Sequence, residues 1–220
     1  MTTLFLKAAH KGAAGQGGLF LAAMLLSIGI VPMNADTLSD NLSALTAGTE
    51  AAHGNTWITA SFATGATAYS LSSITLLLAN SVPGTAELDL YSDVGQPGSR
   101  LTILTPPASY SDSLSPTIFL GGAFSLDANS TYWLVLKTIG GEFDWAWTAS
   151  NTGSGVGFTH TWGVSDDAGA DWFTSDNNPM QMRVAASHAA VPEPGPSTLV
   201  IAGSVLLMAL CWRQRAVRYC

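Results

Sequence analysis

Asp166 and Asp167, with Asp171 and Asp176, are the densest run of carboxylates in the 220-residue chain. Hard oxygen ligands on a loop suit Ca²⁺, so these four are the candidate metal ligands. Their spacing lacks the glycine and closing Glu of the calcium-loop signature. A solvated acidic face that aids solubility accounts for them more simply. Asp166 and Asp171 are also the pair that glycoside hydrolysis would draw on, since it needs an acid and a partner carboxylate a set distance apart. The sequence does not fix that distance.

Aromatic residues offer a second kind of chemistry. Trp57, Trp133, Trp145, Trp147, Trp162 and Trp172 lie between Asp36 and Ala190, and only Trp212 lies outside. Trp145 and Trp147 are two apart on a strand-like run, so they share a face. On an exposed face the pair would stack on sugar rings, which makes them the candidate carbohydrate-binding residues. If Asp144 is wet, the same alternation turns them inward, where aromatics dominate a sandwich core. The core reading is the stronger of the two.

Other reactive types are sparse. His160 is the one mid-domain histidine on a strand-like run, and a lone strand histidine is most often a packed residue. The chain has no Gly-x-Ser-x-Gly elbow, no His-Glu-x-x-His and no phosphate-binding glycine loop. Gly153, Gly155 and Gly157 read as a flexible loop. Cys211 and Cys220 are the only cysteines, so a disulfide scaffold is excluded. A net charge of −7 argues against nucleic acid, whose binders are basic. The expectation is a non-enzyme without a cofactor, calcium being the one metal left open.

The elements that would position these residues repeat every two residues, as strands do. Strand candidates are Thr56 to Phe62, Tyr69 to Leu78, Ala86 to Tyr91, Thr131 to Lys137, Phe143 to Thr148, Gly157 to Trp162 and Met180 to Val184. In the third, Leu88 and Leu90 point one way and Glu87, Asp89 and Tyr91 the other. The second alternates and then becomes continuously apolar, as a buried strand can. Turn signals separate them: Val82-Pro83-Gly84, Gln96-Pro97-Gly98, Asp127-Ala128-Asn129, Gly140-Gly141 and Asn177-Asn178-Pro179. No amphipathic helix stands out. The pattern predicts an all-β, antiparallel β-sandwich, jelly-roll-like, over 36–186. Asp36 to His53 reads as an irregular lead-in, and 187–196 as a proline-rich linker.

Only 10% of the chain is charged and 47% is hydrophobic. Part of that imbalance comes from the ends. Residues 1–35 read as a signal peptide: Lys7 and Lys11, an apolar run from Gly18 to Val31, then Ala35 before Asp36. Met33 is large for its place, which leaves the exact bond open, and an uncleaved anchor is the alternative. At the other end come Pro192-Glu193-Pro194, an apolar run over 197–212, and Arg213, Arg215 and Arg218 in a basic tail over 213–220. At 1.5 Å per residue the run reaches ~24 Å, enough for one transmembrane helix where a bilayer thins. The arginines stay cytoplasmic, which leaves the domain outside. Without its ends the chain is strongly acidic, with 14 acidic residues against Arg100, Lys137 and Arg183.

The C-terminal residues Pro192-Glu193-Pro194, the short span and Arg213, Arg215 and Arg218 together resemble the PEP-CTERM sorting signal of Gram-negative bacteria. The resemblance covers about the last 30 residues. It implies transient hold in the inner membrane, recognition by an exosortase that cleaves near the triplet, and a partner in exopolysaccharide or biofilm. An ordinary single-pass anchor is the plainer alternative. The middle of the chain resembles a bacterial extracellular domain called choice-of-anchor R. That likeness rests on Asn41-Leu42-Ser43, Thr46-Ala47-Gly48-Thr49-Glu50, Leu76-Leu77-Leu78-Ala79-Asn80, Leu88-Asp89-Leu90-Tyr91-Ser92-Asp93, Thr131-Tyr132-Trp133, Phe143-Asp144-Trp145-Ala146-Trp147 and His160-Thr161-Trp162-Gly163. It implies a surface or secreted domain and brings no catalytic residues. The expectation is therefore an exported, exosortase-processed matrix or adhesion protein. A carbohydrate-binding module is the alternative, and a glycoside hydrolase a more distant one.

Overall fold

A computed structural model describes residues 35–188, which form strands joined by turns and loops. The expected signal peptide, the sorting residues Pro192, Glu193, Pro194, Arg213, Arg215 and Arg218, the apolar span and both cysteines lie outside the described residues. Among the described residues, no helix is long and apolar enough to cross a membrane.

The strands are β1 (Ala35–Asp40), β2 (Thr46–His53), β3 (Trp57–Ala63), β4 (Tyr69–Val82), β5 (Thr85–Asp93), β6 (Pro97–Ile103), β7 (Ser115–Leu126), β8 (Thr131–Ile139), β9 (Glu142–Thr148), β10 (Phe158–Ser165), β11 (Phe173–Ser175) and β12 (Met182–His188). They form two antiparallel sheets, consistent with a β-sandwich. The first runs β1-β12-β4-β9-β2, with β7 on β4 as well; the second runs β11-β10-β3-β8-β5-β6.

One core draws on both sheets. From the second come Ile58, Ala60 and Phe62 of β3, Leu88 and Leu90 of β5, and Tyr132, Leu134 and Leu136 of β8. From the first come Leu71, Ile74, Leu76 and Leu78 of β4, Phe119 of β7, Phe143 and Trp145 of β9, and Met182 and Val184 of β12. Each set alternates along its strand, as a sheet with one buried face requires.

β4 is the spine of its sheet and breaks that rhythm once. Tyr69 and Leu71 point inward, then Ile74, Leu76 and Leu78 do. The parity changes because Ser72 pairs with neither neighbour: the register slips between Leu71 and Ser73 against both β7 and β12. A bulge of one residue flips every later side chain to the other face. The apolar run Leu76 to Leu78 is therefore not a strand buried on both sides. Leu77 turns outward and is only partly buried.

Both open sides of the sandwich are stitched by backbone bonds. On one side Thr105, just past β6, exchanges two 2.9 Å hydrogen bonds with Leu120 of β7. On the other, Asp40 of β1 exchanges bonds of 2.9 and 2.8 Å with Ser154, and the Gly157 N–H donates to the Leu38 carbonyl at 2.8 Å. The expected flexible loop at Gly153, Gly155 and Gly157 is thus a packed seam between the sheets. Gly157 lies so close to the Ala63 carbonyl that a side chain there would overlap it.

Two boundaries differ from expectation. The lead-in Asp36 to His53 contains two strands, β1 and β2. β12 continues through His188, two residues into the expected linker. Ala35 faces Ser187 across the β1–β12 ladder, so the chain enters and leaves the fold side by side.

Candidate functional site

Trp145 and Trp147 do share a face of β9, and that face is the core. Trp145 has no exposed surface, and Trp147 is partly buried against the same cluster. The Trp145 indole N–H donates to the Gln181 carbonyl at 3.0 Å, which satisfies its polar end inside the protein. Gln181 also donates its backbone N–H to Ala146 at 2.7 Å and its side-chain amide to the Ala44 carbonyl at 2.7 Å. Burial of the Trp145 ring removes it from any sugar-stacking platform, which corrects the paired reading. Ala146, on the other side of β9, is fully buried too, while Asp144 is half-buried.

The four aspartates lie near the β10–β11 hairpin, and the carboxylates of Asp166, Asp167 and Asp176 each take separate partners. Asp166 Oδ1 accepts the Thr56 hydroxyl at 3.1 Å. Asp167 Oδ1 accepts the Ser165 hydroxyl at 2.8 Å and the Asp171 backbone N–H at 3.0 Å. Asp176 Oδ1 accepts the Thr161 hydroxyl at 2.6 Å. Among the described residues, no three His, Cys, Asp or Glu side chains come together as a metal site. The spread of the aspartates explains this, with Asp176 tied to β10 rather than to the loop. The backbone N–H of Asp171, helped by the Ser165 hydroxyl, holds the Asp167 carboxyl below its usual pKa.

Asp166, Asp167 and Asp171 line one shallow depression of about 400 Å³ with Val164, Trp172 and Phe173. Phe173 is 71% exposed, and Trp172 is partly buried. The aromatic surface next to the acidic loop therefore comes from Trp172 and Phe173. The signal for it was the adjacency of Asp171, Trp172 and Phe173, which periodicity alone does not rank.

A second charged cluster occupies the outward face of the β5–β8 pair. Strand alternation puts Glu87 and Asp89 on that face, and register sets Lys137 opposite Glu87. Lys137 Nζ lies 2.6 Å from Glu87 Oε1 and 2.6 Å from Asp89 Oδ2. Arg100 approaches the same two carboxylates at 4.0 and 3.6 Å. The Asp89 side chain has no exposed surface, and its Oδ1 has no hydrogen-bond partner. Burial pushes the Asp89 carboxyl above its ordinary pKa, more strongly than Lys137 pulls it down. Burial works against the Lys137 charge, but the two carboxylates outweigh it and hold its pKa above the usual lysine value. Lys137 Nζ also stands 4.9 Å from the centre of the Trp57 ring. The ammonium between the carboxylates makes this a charge-balanced strut across the sheet, with no free acid–base pair. The sequence placed Glu87 and Asp89 outward but gave no pairing, because the partner strand lies about 50 residues on.

His160 is exposed on β10. The residues of the expected sorting signal lie outside the described part of the chain. No family model matches the sequence, and no curated protein matches it.

Proposed function

We propose that the chain is an exported, non-enzymatic surface or matrix protein of the PEP-CTERM kind, with a jelly-roll-like domain between two address segments. A signal peptide over 1–35 directs export. A single transmembrane helix over 197–212 holds the chain in the inner membrane until an exosortase acts near Pro192-Glu193-Pro194. The domain is then released to the cell surface or matrix, where exopolysaccharide is its partner.

The observation that supports this reading is the juxtaposition of the two boundaries. Ala35 pairs with Ser187, and Asp36 Oδ2 lies 2.8 Å from His188 Nε2. The ends of the described chain thus lie side by side at one edge of the first sheet, which suits two address segments that meet the same membrane. A cysteine-free domain with one shared core also needs no disulfide chemistry to persist outside the cell.

Epitope tags test the route. A tag in the exposed Asp112-Ser113 loop should appear in the cell-surface or medium fraction, and a tag after Cys220 should stay with the inner membrane. Both tags together in the cytosol would overturn the proposal.

A further inference from the structure

The depression at the β10–β11 hairpin joins three features that suit one class of ligand. Part of its lining is apolar: Val164 and Phe173, paired across the β10–β11 ladder, and Trp172 beside Phe173. Its rim carries the carboxylates of Asp166, Asp167 and Asp171, which accept hydrogen bonds and cannot donate them when ionised. Its volume, about 400 Å³, falls in the range of small-ligand sites.

The loop that carries these groups is built before any ligand arrives. The Ser165 hydroxyl receives the Gly169 N–H at 2.8 Å and donates to Asp167. The Ala168 N–H reaches back to the Asn55 carbonyl at 2.9 Å. Gly169 has φ +86°, and a Cβ there would stand 2.8 Å from the Trp57 ring and 3.5 Å from Trp172. Glycine lets the loop lie flat on Trp57, and this seats Trp172. A fixed aromatic and acceptor set binds without a large ordering cost.

We propose that this depression is a binding site for a neutral saccharide. Aromatic rings match the apolar faces of a pyranose, and the carboxylates match its hydroxyl donors. The three carboxylates repel polyanions. Among the described residues they are not part of a metal-holding group, and the proposed contact is direct, from protein to sugar. The site is independent of the terminal segments, and its failure would leave the proposed export route untouched.

Affinity electrophoresis of the full chain tests it, in a polyoxyethylene detergent that carries no sugar headgroup. Native gels would contain hydroxyethylcellulose, galactomannan, xyloglucan or β-1,3-glucan. At least one neutral polymer should retard the protein, and retardation should survive EDTA. Phe173→Ala and Asp171→Asn remove exposed groups, so the fold should stay intact, and each should weaken binding by about tenfold. Retardation by none of the four polymers, or equal retardation of wild type and both variants, would overturn the proposal. So would retardation that EDTA abolishes, since that marks a metal-bridged contact.

Discussion

The Trp145 indole N–H and the Gln181 backbone carbonyl meet at 3.0 Å inside the core, 36 residues apart in sequence. That bond ties β9 to the segment leading into β12, and it explains why a tryptophan can be wholly buried there. Trp145→Ala should lower stability by about 3–5 kcal/mol through the cavity it leaves. Trp147→Ala should cost clearly less, because Trp147 is only partly buried. Urea unfolding of the two variants checks the order, and equal losses would contradict it.

Lys137 is the cation between two carboxylates, one of them without exposed surface. Lys137→Met should destabilise the fold by about 3 kcal/mol, since it leaves the buried Asp89 carboxylate with only the more distant, half-exposed Arg100. The double variant Lys137→Met with Asp89→Leu should regain most of that loss. A double variant no more stable than the single one would contradict the strut.

The alkaline side of the stability curve carries the same signature. Lys137 has a folded pKa raised above its ordinary 10.5. Its contribution is therefore full below about 10.5, the unfolded value, and is lost as pH rises through the higher folded value. The stability gap between wild type and Lys137→Met should hold up to pH 10.5 and then close. Asp89, also raised, contributes in the same sense at low pH: its share is full below 3.8 and falls as pH rises through its folded value.

Asp167 runs the other way. Its folded pKa is lowered from 3.8 by the Asp171 N–H and the Ser165 hydroxyl, so what it adds is present above 3.8 and lost as pH falls through the folded value. The NMR shift of the Asp171 amide proton should titrate with a midpoint below 3.8. A midpoint at or above that value would show that the carboxylate does not hold the loop.

Gly157 is the point where the seam on one side of the sandwich closes. Its carbonyl accepts the Ala63 N–H at 2.8 Å while its own N–H binds Leu38 at 2.8 Å. Gly157→Ala should cost about 1–3 kcal/mol, since the added methyl overlaps the Ala63 carbonyl. Hydrogen exchange should quicken at the amides of residue 157, Ala63 and Asp40, the seam donors, before it does in the core strands. Unchanged exchange at those amides would contradict the role of the seam.

Much of the fold was legible where alternation was strong. The runs read as strands at Thr56, Tyr69, Ala86, Thr131, Phe143, Gly157 and Met180 each correspond to a strand, with ends shifted by a few residues. β2, Thr-Ala-Gly-Thr-Glu-Ala-Ala-His, was hidden because small residues at a sheet edge leave no apolar period. β7 was hidden because Gly121-Gly122 interrupts its alternation where the register slips opposite Ser72 of β4. The same bulge made β4 look apolar on both faces. The candidate site was partly legible: the aspartates marked its loop, but Trp172 and Phe173 were outranked by the better-spaced Trp145 and Trp147. Spacing says which residues share a face, and only packing says whether that face is wet.

Intact-mass spectrometry of the protein recovered from its native cells addresses export and processing together. The predicted species begins near Asp36 and ends near Pro192-Glu193-Pro194, having lost the apolar span and the arginine tail. A mature chain that still ends at Cys220 would contradict exosortase processing.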